Sequence, residues 1–228
     1  MRVNCIYSTF EGEGVRIGKP ETIIRLQGCV LPGGKNCSSC DTPEAINPGG
    51  GKEMDVREIV ERVSVLGQEN IHLSGGEPLM QRDELIKLLK LLVDGYESIT
   101  LETSGLIIDY EVFSYCSFLS FDIKTPSTGI TIDYKILNEL TEIEESAQFK
   151  MVVKNWQDYN FVKKIYNRYK PIWDERGNLV ITPCWEVGKE LGREFVKKLC
   201  KQILADKISV RVILQQHKLL WGSTTREI

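Results

Sequence analysis

Histidine is scarce in this chain, with only His72 and His217 among 228 residues, and that scarcity argues against the histidine-rich sites of catalytic zinc. Long apolar runs are missing as well: nothing approaches the roughly 18 consecutive apolar residues that a membrane-spanning helix needs. The opening MRVNCIYSTFEGEG turns polar and acidic before the apolar centre of a secretory signal can form. A surplus of positive charge is also lacking. Lys and Arg number 29 against 32 Asp and Glu, a formal net charge of -3, without the basic stripe that proteins lay along phosphate backbones. These absences predict a soluble, cytoplasmic protein that binds neither membrane nor nucleic acid.

What the chain does hold is cysteine, seven in all. The odd number and the missing signal segment argue against a disulfide scaffold. Cys5, Cys116, Cys184 and Cys200 sit in or beside apolar runs and read as small core residues. Cys29, Cys37 and Cys40 are different, because they share the short stretch GCVLPGGKNCSSCDT (28–42) and no fourth cysteine stands nearby. Structural zinc takes four protein ligands, and neither His72, Cys116 nor Cys184 is spaced as a second half-site. A redox dithiol at Cys37 and Cys40 leaves Cys29 without a role. A [4Fe–4S] cube held by three thiolates keeps one iron for a small molecule to chelate. Spacing alone leaves the zinc, dithiol and cluster readings open.

The rest of the chain alternates between two periodicities. Strands are predicted at 21–28, 70–76, 98–105, 118–124, 147–153, 178–183 and 208–214, and Cys5 lies in a further one. Helices are predicted at 55–67, 82–95, 110–115, 134–140, 157–169 and 190–204, the first with Asp55 as its N-cap and Glu58 three residues on. Strand-helix alternation of this kind predicts an α/β fold with a parallel sheet, open or curled into a barrel. No linker divides the chain, so one domain over 1–228 is expected, with a flexible NPGGG (47–51) closing the cysteine loop of 28–51. The punctuating motifs fall after the strands, where parallel α/β folds carry their sites: the cysteine loop, SGGEP, ETSG, DIKTP and TPCWE.

SGGEP (74–78) by itself is an ordinary turn into a helix. Its glycines permit close backbone approach to a ligand, and Glu77 can accept hydrogen bonds from an ammonium group. Following a three-cysteine loop, it resembles the radical S-adenosylmethionine (SAM) superfamily, whose GGE turn contacts the methionine amino group. The ordered set STFEGEG (8–14), ETIIRLQGC (21–29), CDT (40–42), SGGEPLMQ (74–81), ETSG (102–105), SFDIK (120–124) and LQQHKLLWG (214–222) resembles, more narrowly, the 7-carboxy-7-deazaguanine synthase family.

That resemblance implies a partial (β/α) barrel and a homodimer, with a [4Fe–4S] cluster, SAM and Mg²⁺ as cofactors. The implied reaction is the radical ring contraction of 6-carboxy-5,6,7,8-tetrahydropterin to 7-carboxy-7-deazaguanine with loss of ammonia, on the route to queuosine and related deazapurines. A reductase, flavodoxin or ferredoxin would supply one electron. Cys29, Cys37 and Cys40 would ligate the cluster and Thr42 would give Mg²⁺ a hydroxyl, while Asp41 beside it serves a cap or the loop. Phe10, Glu11, Gly12, Glu13, Arg25, Ser74 and His217 would bind substrate, with Arg25 on its carboxylate as a planar bidentate fork. Gly75, Gly76, Glu77, Ser104, Asp122, Lys124, Thr182 and Pro183 would hold SAM. No side chain is implied as catalytic, since SAM and the cluster carry the radical chemistry.

Two features depart from the family pattern. Glu11 stands where the family reads Gln in QGEG, so a group that donates and accepts becomes one that only accepts. Seven residues, VLPGGKN, separate Cys29 from Cys37 where the family commonly has three; Gly33 and Gly34 allow that insertion to fold as a turn. The rival readings are a radical SAM activase acting on a glycine of a partner protein and a zinc-bearing binding module.

Overall fold

A computed structural model describes residues 1–228 except 32, 33, 35, 144, 145, 187, 188 and 224–228. Among the described residues one sheet is built from β1 (Arg2–Phe10), β2 (Pro20–Leu26), β3 (Lys52–Glu53), β4 (Asn70–Gly75), β5 (Ser98–Thr103), β6 (Phe118–Asp122), β7 (Ala147–Val153), β8 (Leu179–Pro183) and β9 (Arg211–Val212). The order across it is β3-β1-β2-β4-β5-β6-β7-β8-β9. From β2 to β9 every neighbouring pair is parallel, as helical crossovers require. β1 is antiparallel to both β2 and β3. β3 and β9 end the sheet without pairing to each other, so the barrel is open.

The crossovers are α1 (Val56–Leu66), α2 (Arg82–Leu92), α3 (Tyr110–Ser114), α4 (Tyr134–Thr141), α5 (Trp156–Arg168), α6 (Lys170–Arg176) and α7 (Arg193–Ala205), followed by a terminal α8 (Gln216–Trp221). α1 starts where Asp55 caps it by accepting from the Arg57 N–H, and it stops at Gly67, whose φ of 71° is left-handed. The short β3, α6 and α8 were not predicted from the sequence. α6 opens with Pro171 in its first turn and ends at left-handed Gly177, a Pro-in, Gly-out signature that was present but overlooked. The apolar run 208–214 pairs with β8 only at Arg211 and Val212, and the chain then turns into α8.

β4 to β7 are buried along nearly their whole length, and a period-2 alternation runs through them. Leu73, Leu101, Phe121 and Phe149 are fully buried in the apolar core. There Phe121 lies 5.4 Å from Phe149, and Phe149 lies 5.0 Å from Trp173 of α6, contacts that favour tilted aromatic pairs. The alternate positions carry His72, Ser74, Glu102, Asp122 and Lys150. Pairing in register puts Ser74 beside Arg25 and Asp122 beside Lys150. One face of the sheet is thus an apolar core and the other is a polar interior, and the second face carries the site.

Candidate active site

A cavity of about 240 Å³ opens on that polar face and receives residues from all the strand-end loops named above except the strand-borne Thr182 and Pro183. The cysteine loop contributes Cys29, Cys37, Cys40 and Thr42; β2 contributes Arg25; the glutamate loop after β1 contributes Phe10, Glu11, Gly12 and Glu13. Ser74, Gly75, Gly76, Ser104, Asp122, Lys124 and His217 complete the predicted set that reaches it. Thr182 and Pro183 are buried within β8 and do not line the cavity, although Cys184 and Trp185 just after them do.

The cysteine loop is rooted in backbone contacts. Gly28 donates to the Ala45 carbonyl at 2.8 Å, and Cys29 donates to that of Ile46 at 2.8 Å. Its inserted segment turns at Gly34, whose φ is 70° and whose N–H donates to Leu31; Gly33 lies outside the described residues. SGGEP locks onto the same root, for the Gly76 N–H donates to Leu26 and the Glu77 N–H to Gly28. A Cβ on Gly76 would stand 2.1 Å from the Gly28 oxygen. The second glycine is therefore required first for backbone packing against the cysteine loop.

Glu77 is held inside the fold. It is 2% exposed and does not line the cavity. Its carboxylate accepts from Ser104 Oγ at 2.6 Å, the Ser104 N–H at 3.0 Å and Thr103 Oγ1 at 2.7 Å, and caps the Leu79 N–H at 3.3 Å. With these donors in place, the carboxylate ties ETSG to SGGEP.

The three thiols are half-buried and free. Burial, with the charge of Glu77 and then of the other two cysteines, pushes the Cys29 thiol up to about 11. Burial also raises Cys37, against the pull of Lys124. Cys40 Sγ lies 3.7 Å from Thr42 Oγ1. Cys116 is buried elsewhere and donates to the Val112 carbonyl, while Cys184, read as a core residue, instead stands on the cavity wall.

Opposite the thiols lies a buried charge network that the sequence reading did not assemble. Lys150 Nζ is 2.5 Å from Glu102, 3.3 Å from Glu13 and 3.8 Å from Asp122, and Asp122 pairs with Lys124 at 3.1 Å. Burial alone would lower Lys150, but Glu102, Glu13 and Asp122 hold it well above the ordinary lysine range. Ser74 Oγ donates to Glu102 at 3.0 Å. Glu13 Oε2, despite its nearness to Lys150, is buried without a hydrogen bond, an acceptor that burial makes costly to leave empty. Arg25 donates to Tyr7 Oη at 3.1 Å. The signal for His72, Glu102 and Lys150 was the charged residue at every second place in otherwise apolar strands.

α8 closes the far side. The Gln216 N–H donates to the Gly12 carbonyl at 2.7 Å, and a Cβ on Gly12 would meet His217 Nδ1 at 2.1 Å. His217 therefore packs directly on the glutamate loop, from the first turn of a helix. Lys218, 4% exposed, bonds Asp41 at 2.8 Å and the Trp185 carbonyl at 3.3 Å, and joins the cysteine loop, the segment after β8 and α8. Asp41 is thereby tied to α8 through Lys218.

The Radical SAM superfamily profile matches residues 23–167. A 7-carboxy-7-deazaguanine synthase of Thermoplasma acidophilum is 30% identical over 223 residues, 97% of this chain and 98% of that protein. The chain belongs to the 7-carboxy-7-deazaguanine synthase family of the radical SAM superfamily. A further family member, from Methanospirillum hungatei, is 28% identical over 96% of this chain and 85% of its own length. In fold, the crystal structure of QueE from Escherichia coli superposes with a TM-score of 0.67 at 20% identity, covering 95% of this chain and 94% of that one. Streptococcus suis SuiB bound to S-adenosylmethionine matches at a TM-score of 0.55 and 13% identity, over 82% of this chain and 44% of SuiB.

The donor set fits the family's iron–sulfur cluster better than a single ion. Sulfur ligands on one tetrahedral zinc stand about 3.8 Å apart, from a Zn–S distance of about 2.3 Å. Among the described residues only Glu11, Glu21 and His72 bring ligand atoms within 4.8 Å of one another, so the three thiols are spread too widely for one zinc. They nonetheless face one cavity, as a four-iron cube requires.

Proposed function

We propose that this chain converts 6-carboxy-5,6,7,8-tetrahydropterin to 7-carboxy-7-deazaguanine with loss of ammonia, using SAM and a [4Fe–4S] cluster. The observation that carries the reading is the meeting, in one cavity, of three spread thiols with Arg25 and the unsatisfied acceptor of Glu13. When bound, cluster and SAM supply hydrogen abstraction from the substrate; the protein's own residues bind, orient and exclude water.

Cys29, Cys37 and Cys40 hold the cluster in this reading, and Gly75, Gly76, Ser104, Asp122 and Lys124 border the SAM side. Arg25 takes the substrate carboxylate with the two parallel hydrogen bonds that a guanidinium provides. Glu13 accepts from a ring N–H or amino edge, and His217 and Ser74 lie within the same cavity to complete the cradle. Thr42 would offer Mg²⁺ a hydroxyl oxygen, a donor type suited to a hard cation. One domain, a one-electron donor of the flavodoxin, ferredoxin or reductase kind, and a cytoplasmic setting belong to the same reading. So does a homodimer, for which the exposed Leu219, Leu220 and Trp221 of α8 supply apolar surface. Among the described residues no helix is long and apolar enough to cross a membrane.

The test is an anaerobic assay of the reconstituted protein with SAM, a reductant and 6-carboxytetrahydropterin. The expected result is formation of the deazapurine, read by its ultraviolet spectrum and mass, with one ammonia released for each deazapurine formed. Cleavage of SAM without any deazapurine would exclude this substrate and favour an activase acting on protein.

A further inference from the structure

The glutamate that replaces the family's glutamine borders the cavity, but its carboxylate is engaged by the protein's own donors. Glu11 is 6% exposed, and two N–H donors converge on it. Its Oε1 accepts from the Glu13 N–H at 3.3 Å, and its Oε2 lies 2.9 Å from His72 Nδ1. Its backbone is equally committed, to Lys19 through N–H and to Gly18 through the carbonyl, both at 2.8 Å. His72 Nδ1 is also 3.0 Å from Oε1 of Glu21, a carboxylate 1% exposed. One ring N–H is thus shared between two buried carboxylates.

We propose that Glu11 is a positioning residue, with His72 as its fixed counter-ion, and that the pair props the glutamate loop so that substrate recognition passes from residue 11 to Glu13. The identity of the ligand rests on the function proposed above; the propping itself does not. A carboxylate satisfies both donors, one with each oxygen. An amide has one acceptor oxygen, so glutamine would turn its NH₂ against either the Glu13 N–H or His72 Nδ1–H. If the imidazole gave up its Nδ1 proton to relieve that clash, Glu21 would lose its donor while buried, which is the costly way to break such a pair.

The other charged groups around the imidazole agree with a cationic ring. Glu102 of β5 lies 3.6 Å from Nε2, and it is itself neutralised by Lys150 of β7; Arg16 acts on Glu21 from the loop after β1. Burial alone would lower His72, yet Glu21 and Glu11 hold it well above the ordinary histidine range. Burial likewise raises the Glu11 carboxyl, and the charge and hydrogen bond of His72 outweigh it, so the net direction is down. A raised histidine contributes stability in full below its ordinary pKa of 6.5 and loses it as pH rises through the folded-state value.

The experiment uses the full chain labelled with ¹⁵N-histidine, before and after cluster reconstitution. With two histidines the imidazole spectrum holds two spin systems, and His72→Gln assigns them. We expect both His72 nitrogens protonated at pH 7.5 in the parent protein. In Glu11→Gln, His72 should lose one proton at that pH, and hydrogen exchange at the Glu13 amide should quicken tenfold or more. Calorimetry of the reconstituted variant should show the pterin bound at least tenfold more weakly and SAM unchanged. Glu11→Gln with His72→Gln should recover part of that loss, because both charges are removed together. A neutral His72 in the parent overturns the proposal even if no variant folds, as does unchanged Glu13 exchange in Glu11→Gln. A divalent ion retained when the three cluster cysteines are replaced, and lost on His72→Gln, overturns it too by putting a metal where the proton should be. Failure of the deazapurine assay with the spectroscopic results intact would remove the proposed substrate and leave the propping in place.

Discussion

The two sides of the cavity are built on opposite terms. On the side of β4 to β7 the charged groups satisfy one another: Lys150 with Glu102, Asp122 with Lys124, and His72 with Glu11 and Glu21. On the cysteine side the loop backbone is well tied, but the three thiols are half-buried, with burial raising Cys29 and Cys37 away from the thiolate form. The first side is mostly paired by the fold itself, with Glu13 Oε2 and His72 Nε2 left without hydrogen bonds; the second is a set of thiols whose charged form a bound cation would stabilise. Preorganised charge therefore belongs to the strand wall, and adaptable chemistry to the cysteine loop.

Replacing any of Cys29, Cys37 or Cys40 by Ala breaks this contrast most completely. Each variant should lose the brown absorbance and SAM cleavage altogether while circular dichroism stays native, whereas Cys116→Ala should keep the chromophore. Loss of colour in Cys116→Ala would show that the ligands have been misassigned.

Next in size is Arg25→Ala, which strands the substrate carboxylate in a shielded site. Losing one member of such a pair costs roughly 2–5 kcal/mol, or tens to thousands of times in affinity. Arg25→Lys should restore only part of it, and SAM affinity should hold. Calorimetry on both ligands separates this from a damaged fold, in which the two affinities would fall together.

Glu77→Gln sharpens the comparison, because it moves a presumed ligand contact to the scaffold. Several donors converge on that carboxylate, and an amide leaves some of them facing NH₂. A stability loss of about 1–3 kcal/mol is expected, read as a lower denaturant midpoint, with SAM affinity changed little in the protein that remains folded. An unchanged midpoint with SAM binding abolished would return Glu77 to the ligand.

Asp41→Asn should have the smallest effect. Lys218 is buried, but the Asp41 side chain is 43% exposed, and solvent screens the pair, so a cost of about 1 kcal/mol or less is expected. Hydrogen exchange should quicken in α8 and not in the β4–β7 strands. Uniform quickening would mean that the clamp supports the whole domain rather than this one helix.

How much of this was readable in advance differs between elements. SGGEP and the cysteine triplet were legible because their chemistry is local: a turn, a spacing, a count of thiols. The helices with caps were legible for the same reason, as at Asp55 and Gly67. His72, Glu102 and Lys150 were present as polar letters alternating with apolar ones. Joining them requires the register of four strands, which no single stretch encodes. α8 was hidden because its six residues have no side-chain cap; it is held by Gly12, Asp41 and the Trp185 carbonyl, all distant in sequence.

The sequence by itself determined the α/β alternation, the three-thiol loop and the family, because each rests on neighbours along the chain. Only the tertiary structure decided what surrounds Glu11 and Glu77. Both are acids in loops that look ready for a ligand, and both proved to be buried among donors from other segments: His72 for Glu11, Thr103 and Ser104 for Glu77. The physical reason is that a carboxylate's role is set by which donors reach it where water cannot, and those donors are brought to it by folding.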